Sequence, residues 1–189
     1  MQKKSTIHTL TLGAILTALV IVLQLLGSFI RFGPFSISLV LIPIVIGAAV
    51  CGTRVGTWLG FVFGLAVLLS GDAAAFMAFD VAGTILTVLL KGALCGLAAG
   101  ITYRLVVKWN VYLAVIAAAI VCPVVNSGVF FLGCLVFFFG DLAAWAGGGD
   151  ILQYILLVLI GGNFLFELAF NVILSPIVVR LLRINEKLR

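Results

Sequence analysis

The sequence contains very little charge. Only 9% of its 189 residues are Asp, Glu, Lys or Arg, whereas 65% are hydrophobic. A soluble domain of this length needs a charged surface, and this composition cannot supply one. The composition therefore predicts an all-α integral membrane protein, with residues 1–189 forming one transmembrane domain in the lipid bilayer.

Other absences exclude several kinds of catalytic and metal site. No G-x-x-x-x-G-K-[ST] segment occurs, so the chain cannot use ATP through a P-loop. The one histidine, His8, precedes the first apolar run, which leaves no histidine-based site within the membrane. The four cysteines lie in apolar runs without C-x-x-C spacing and are expected to be inert thiols. We therefore expect no enzymatic activity, no catalytic residues, no cofactor and no metal.

Apolar runs divide the chain into segments that could cross a bilayer, which takes about 20 residues per helix. The run from Leu10 to Ile30 is longer than a signal-peptide core and predicts a retained first span. The second and third spans are short and separated only by "GTR", so each is either tilted or partly re-entrant. The six predicted spans lie near 9–30, 37–52, 54–70, 83–106, 111–139 and 152–182.

Basic residues are distributed unevenly among the loops of this six-helix bundle. Nine of the eleven fall in segments on one side, whereas the other side has Arg31 and four aspartates. The positive-inside rule then places both termini in the cytoplasm. The net charge of +5 reflects this orientation and does not indicate nucleic-acid binding.

Two ionisable residues, Lys91 and Glu167, fall within predicted spans. Each costs about 2.5–3.5 kcal/mol at bilayer depth, which implies a partner or a cavity. Asn163, Glu167 and Asn171 are spaced four apart and share one helix stripe, and Asn126 lies within the fifth span. Either Lys91 and Glu167 form a structural ion pair while the asparagines join helices, or the polar groups surround a ligand cavity. Their convergence on the last three spans favours a cavity.

Small residues at intervals of four predict close helix contacts. Ala14 and Ala18 form such a pair in the first span, where packing within the bundle and contact with a partner are both plausible. Internal packing is the expected role of the glycines in the third and fourth spans, which are Gly56, Gly60, Gly64, Gly92, Gly96 and Gly100.

Three of these features occur in a familiar order: the Ala14/Ala18 pair, "FGPFSISLVLIPIVIGAAVCGTRVGTWLGFVFG", and "LLKGALCGLAAG". Over essentially its whole length the chain resembles the substrate-binding subunit (S component) of the energy-coupling factor (ECF) transporters, the vitamin importers of bacteria. The segment from Gly33 to Gly64 is most similar to the pantothenate-type members.

The resemblance implies a multi-pass protein of the bacterial cell membrane that captures a B vitamin, with pantothenate favoured and riboflavin next. It implies docking on a transmembrane coupling subunit that carries two ATPases, through the face that contains Ala14 and Ala18. It also implies a pocket open to the outside, formed by spans four to six and capped by the loop between spans one and two.

The substrate-binding residues expected in that pocket are Lys91, Asn126, Asn163 and Glu167. The main alternative function is that of a stand-alone secondary transporter of a small organic solute. Against it, the sequence shows neither an internal repeat nor paired broken helices.

Overall fold

The computed structural model describes the backbone of residues 2–29, 31–32, 35–36 and 39–188, and the side chains of 7–29 and 39–182. Two-residue strands, β1 (Arg31–Phe32) and β2 (Phe35–Ser36), pair antiparallel between the first two helices. A π-helix, Tyr154–Gly161, joins the last two helices. The α-helices are α1 (Gln2–Gly27), α2 (Leu41–Val50), α3 (Thr53–Ser70), α4 (Ala74–Met77), α5 (Val81–Val106), α6 (Val111–Phe137), α7 (Phe139–Trp145), α8 (Ile151–Gln153) and α9 (Gly162–Leu188).

Five of the described helical segments are long and apolar enough to cross a membrane, which confirms a multi-pass helical protein. They are Ile7–Gly27, Thr53–Ser70, Val81–Val106, Val111–Phe137 and Ile151–Leu182. The remaining apolar helix, α2, has 10 residues. At about 1.5 Å per residue it covers only about half of a hydrocarbon core. The count of six spans therefore stays a prediction.

Three polar residues fix the beginnings of helical segments by accepting hydrogen bonds from free backbone amides. Asp80 accepts from Ala82 N at 3.0 Å at the start of α5. Asn110 and Asp150 do the same at the starts of α6 and α8. These caps explain why the predicted starts near 83, 111 and 152 lie within two residues of the observed starts at Val81, Val111 and Ile151.

The glycines of α3 and α5 lie where the two backbones touch. A Cβ atom on Gly60 would overlap the carbonyl oxygen of Gly92, and one on Gly92 would overlap that of Gly60. A Cβ on Gly56 would come within 2.9 Å of the carbonyl oxygen of Gly96. The predicted internal packing of these glycines is confirmed, and α3 and α5 form the centre of the bundle.

The helix directions give the bundle an acidic end and a basic end. Arg54 lies in the first turn of α3 and Arg104 in the last turn of α5, so these two antiparallel helices bring them to one end. The described aspartates follow the far ends of α3 and α6 and form the acidic end; they are Asp72, Asp80, Asp141 and Asp150.

The described beginning of α1 and the described end of α9 lie toward the basic end. On α1, Gly13 packs beside Val55, near the start of α3. On α9, Val178 and Leu182 cluster with Val115, near the start of α6. Which end faces the cytoplasm stays a prediction, and several charges behind it have side chains outside the described residues: Lys3, Lys4, Arg31, Arg183, Lys187 and Arg189. The Gly33–Pro34 motif also lies outside them.

Candidate functional site

A cavity of about 570 Å³, including its open mouth, lies between α1, α3, α5, α6 and α9 toward the acidic end. Aromatic and aliphatic side chains form most of its wall. Its polar and charged lining residues are Gln24, Asp72, Thr84, Thr87, Lys91, Asn163 and Glu167.

Lys91 contributes the cation of this cavity. Its Nζ atom lies 5.6 Å from the ring centroid of Phe63 and 5.2 Å from that of Phe130. Both separations allow cation–π attraction. Within the described side chains, no carboxylate oxygen lies within 4.0 Å of this ammonium group, so Lys91 and Glu167 do not form a direct ion pair. The cation is stabilised by rings and remains available to an anion in the cavity.

Glu167 is held by two amides from different helices. Asn163 Nδ2 donates to Glu167 Oε1 at 3.1 Å from one turn earlier on α9. Asn126 Nδ2 on α6 donates to Glu167 Oε2 at 3.3 Å. The Glu167 side chain is only 1% exposed, so these bonds replace much of the solvation that it loses on burial. Each carboxylate oxygen keeps acceptor capacity for a ligand hydroxyl or amide.

The four predicted binding residues therefore meet at one place, although they do not all face the cavity. Lys91, Asn163 and Glu167 line it, whereas Asn126 lies behind Glu167 and is 4% exposed. Asn171 continues the predicted stripe but donates to the backbone oxygen of Glu167 at 2.8 Å, within its own helix.

Aromatic rings cluster beside the cavity at the acidic end, where the short helices α4 and α7 lie. Phe76 has ring centroids 5.3 Å from those of both Phe130 and Phe138, and 6.0 Å from that of Trp145. Phe79 and Trp145 are 4.9 Å apart. The loop that the resemblance assigns as the cap, between α1 and α2, has most of its side chains outside the described residues.

Comparison with known proteins identifies the family. The sequence model of the ECF transporter substrate-specific component matches residues 8–179, which is nearly the whole chain. The chain belongs to this family. A search of curated proteins returned no match. The protein is thus a substrate-specific membrane subunit of an ECF transporter, and the family implies a small-molecule substrate and coupling and ATPase partners.

Sequence reasoning missed several polar residues in the cavity of this ECF component. Gln24 on α1 is 2% exposed, and its Nε2 donates to Asp72 Oδ2 at 2.6 Å. Asp72 was assigned only to a loop, although it lines the cavity. Thr84 and Thr87 precede Lys91 at helical spacing on α5. That spacing, and an amide within the apolar first span, were the available signals.

The Ala14/Ala18 face of the ECF component lies on the outside of the bundle. Both alanines are exposed, and they border an open groove of about 1,430 Å³ between α1 and α3. Trp58 forms part of the opposite wall, and its Nε1 donates to Thr17 Oγ1 at 3.2 Å. Packing within the described bundle therefore does not account for this pair.

The described residues give this ECF component no evident metal centre. Within them, no three His, Cys, Asp or Glu side chains group as metal ligands would. Cys95, Cys122 and Cys134 are buried as free thiols.

Proposed function

We propose that this ECF component captures a B vitamin from outside a bacterial cell, with pantothenate favoured over riboflavin. The observation that carries the proposal is Lys91, a cation in the cavity without a carboxylate partner among the described side chains. A ligand carboxylate would form the direct ion pair that Lys91 lacks among the described side chains, in a medium where such a pair is strong.

The remaining polar groups of the cavity favour a ligand that also donates hydrogen bonds. Glu167 and Asp72 present carboxylates, and the buried hydroxyl oxygen of Thr87 has no partner among the described atoms. Pantothenate combines one carboxylate with two hydroxyls and an amide N–H. Riboflavin lacks a carboxylate, and its flat ring would instead rely on aromatic surfaces such as Phe76 and Phe130.

The proposed orientation follows from the two ends of the bundle. With the basic end in the cytoplasm, both termini lie inside and the cavity lies toward the outside. In this arrangement α2 belongs to the second of the six predicted crossings of the bacterial cell membrane.

The proposed partner surface is the exposed face of α1 around Ala14 and Ala18. Small side chains there allow a partner helix to approach closely, and the groove toward Trp58 provides space for it. Through this face the ECF component would dock on a coupling subunit with two ATPases, which provide the work that a chain without a P-loop cannot extract from ATP.

The test is binding of a panel of tritiated vitamins to the purified full-length chain, followed by uptake into liposomes. We expect saturable binding of pantothenate, competed by no other vitamin, and no uptake without the coupling subunit and ATPases. Preferential riboflavin binding would overturn the substrate assignment. Uptake by the chain alone under a sodium or proton gradient would instead indicate a secondary transporter.

A further inference from the structure

Two adjoining grooves at the basic end share Arg104. One, of about 790 Å³, lies between the end of α2, the start of α3 and the end of α5, and Arg54 and Tyr103 also border it. The other, of about 920 Å³, follows α5 and includes Lys108. We call these two grooves the basic grooves. Together they form a single cationic surface, far from the cavity that contains Lys91.

The cations of the basic grooves have no protein counter-ions among the described side chains. Arg54, Arg104 and Lys108 are all exposed, and none of their side chains forms a hydrogen bond or ion pair with a described residue. The described aspartates lie at the opposite end of the bundle, and Glu167 is buried in the cavity. Three positive charges therefore face the surroundings together.

An apolar strip extends from these cations toward the middle of the bilayer. Leu97, Ile101 and Leu105 are spaced four apart on α5 and border the second groove. Ile101 is 46% and Leu105 60% exposed, so the strip faces outward. Arg104 and Lys108 lie at the end of the same helix face. A phospholipid has a matching order of groups, with a phosphate in its head group at the membrane surface and acyl chains below it.

We propose that the basic grooves bind one anionic phospholipid, such as phosphatidylglycerol. Arg104 and Lys108 contact its phosphate, an acyl chain lies along Leu97, Ile101 and Leu105, and Arg54 adds positive charge at the border with the Ala14/Ala18 groove. Clustered basic residues at a membrane surface attract anionic lipids, and guanidinium groups pair well with phosphate oxygens. The apolar strip favours a lipid over a soluble acidic protein, because a soluble partner would not require a hydrocarbon surface that continues down the helix.

The experiment titrates delipidated full-length protein with phosphatidylglycerol and with phosphatidylcholine of identical acyl chains, and counts bound lipids by native mass spectrometry. We expect at least tenfold tighter binding of phosphatidylglycerol. The double variant Arg104→Gln/Lys108→Gln should lose at least tenfold in that affinity. Arg180→Gln is the matched control, because this exposed residue on α9 borders neither groove, and its affinity should change less than twofold.

Equal affinity for the two lipids would overturn the proposal, as would an unchanged affinity in the double variant. Association with the coupling complex is measured on the same proteins. If the double variant loses that association but binds phosphatidylglycerol normally, the surface belongs to a protein partner and the lipid assignment is wrong. Size-exclusion elution at the wild-type volume establishes that each variant is folded.

Discussion

Two faces of α5 have different roles, although Lys91 on one face and Gly92 on the other are adjacent in the sequence. The face that contains Gly92 and Gly96 lies against α3 so closely that no side chain fits between the backbones. The adjacent face carries Thr84, Thr87 and Lys91, and a cavity borders it. Direct backbone contact fixes the position of α5, whereas the adjacent face keeps polar groups available. The close contact with α3 and the polar lining of the cavity thus occupy different faces of one helix.

The largest expected effect comes from filling the glycine face. Gly60→Val should reduce the free energy of unfolding by about 3 kcal/mol, because overpacking displaces a backbone rather than a side chain. The overlapping atom is the Gly92 carbonyl oxygen, which cannot rotate away. Gly128→Val is the matched control, since nothing lies within 4 Å of its Cβ position, and it should cost less than about 1 kcal/mol. Denaturant titration in detergent measures both, and equal losses would contradict the packing account.

Removing the Glu167 carboxylate, which accepts hydrogen bonds inside the cavity wall, should have the next largest effect on stability. Glu167→Leu leaves the amides of Asn126 and Asn163 without their acceptor, at a cost of about 2 kcal/mol. Glu167→Gln retains one acceptor oxygen and should lose roughly half as much. The same unfolding assay ranks the two variants. A leucine variant as stable as the wild type would show that the amides do not depend on this carboxylate.

The exposed alanines of α1 contrast with the glycines of α3 and α5, because these small residues face outward instead of into the bundle. Ala18→Trp should fold normally and bind the vitamin with an affinity within twofold of wild type. The amount of copurified coupling subunit should fall at least tenfold, which corresponds to about 1.4 kcal/mol of binding free energy. Ile15→Trp is the control, since Ile15 is 62% exposed and does not border the groove. Normal copurification of Ala18→Trp would remove this face from the docking surface.

The smallest effect is expected at Thr87, whose hydroxyl oxygen has no partner among the described atoms. Thr87→Val keeps the shape and removes the hydroxyl, so stability should stay unchanged while vitamin affinity falls about threefold. Thermal unfolding and equilibrium binding distinguish these two effects. A clear loss of stability would mean that the hydroxyl has a structural role instead.

Sequence reasoning located the long helices because long apolar runs are local signals. Glycines at intervals of four predicted the contact between α3 and α5. Sequence reasoning also predicted that Lys91, Asn126, Asn163 and Glu167 lie near one another, because polar groups within membrane spans need partners or a cavity.

The features that sequence reasoning missed depend on tertiary contacts. Gln24 and Asp72 are 48 positions apart and meet only when α1 packs against the end of α3. The aromatic cluster around Phe76 depends on α4 and α7, which are too short to give a periodic pattern. The π-helix Tyr154–Gly161 arises in a run of Ile, Leu and Val whose sequence is equally typical of an α-helix.

The most direct test of the central claim compares two ligands on two proteins. Pantothenate and pantothenol, whose primary alcohol replaces the carboxylate, are titrated against wild type and Lys91→Met, with folding of both proteins verified first. If Lys91 binds the carboxylate, the wild type should prefer pantothenate at least tenfold, and the variant should bind both ligands with similar affinity. An equal loss of affinity for both ligands in a folded Lys91→Met variant would contradict the account.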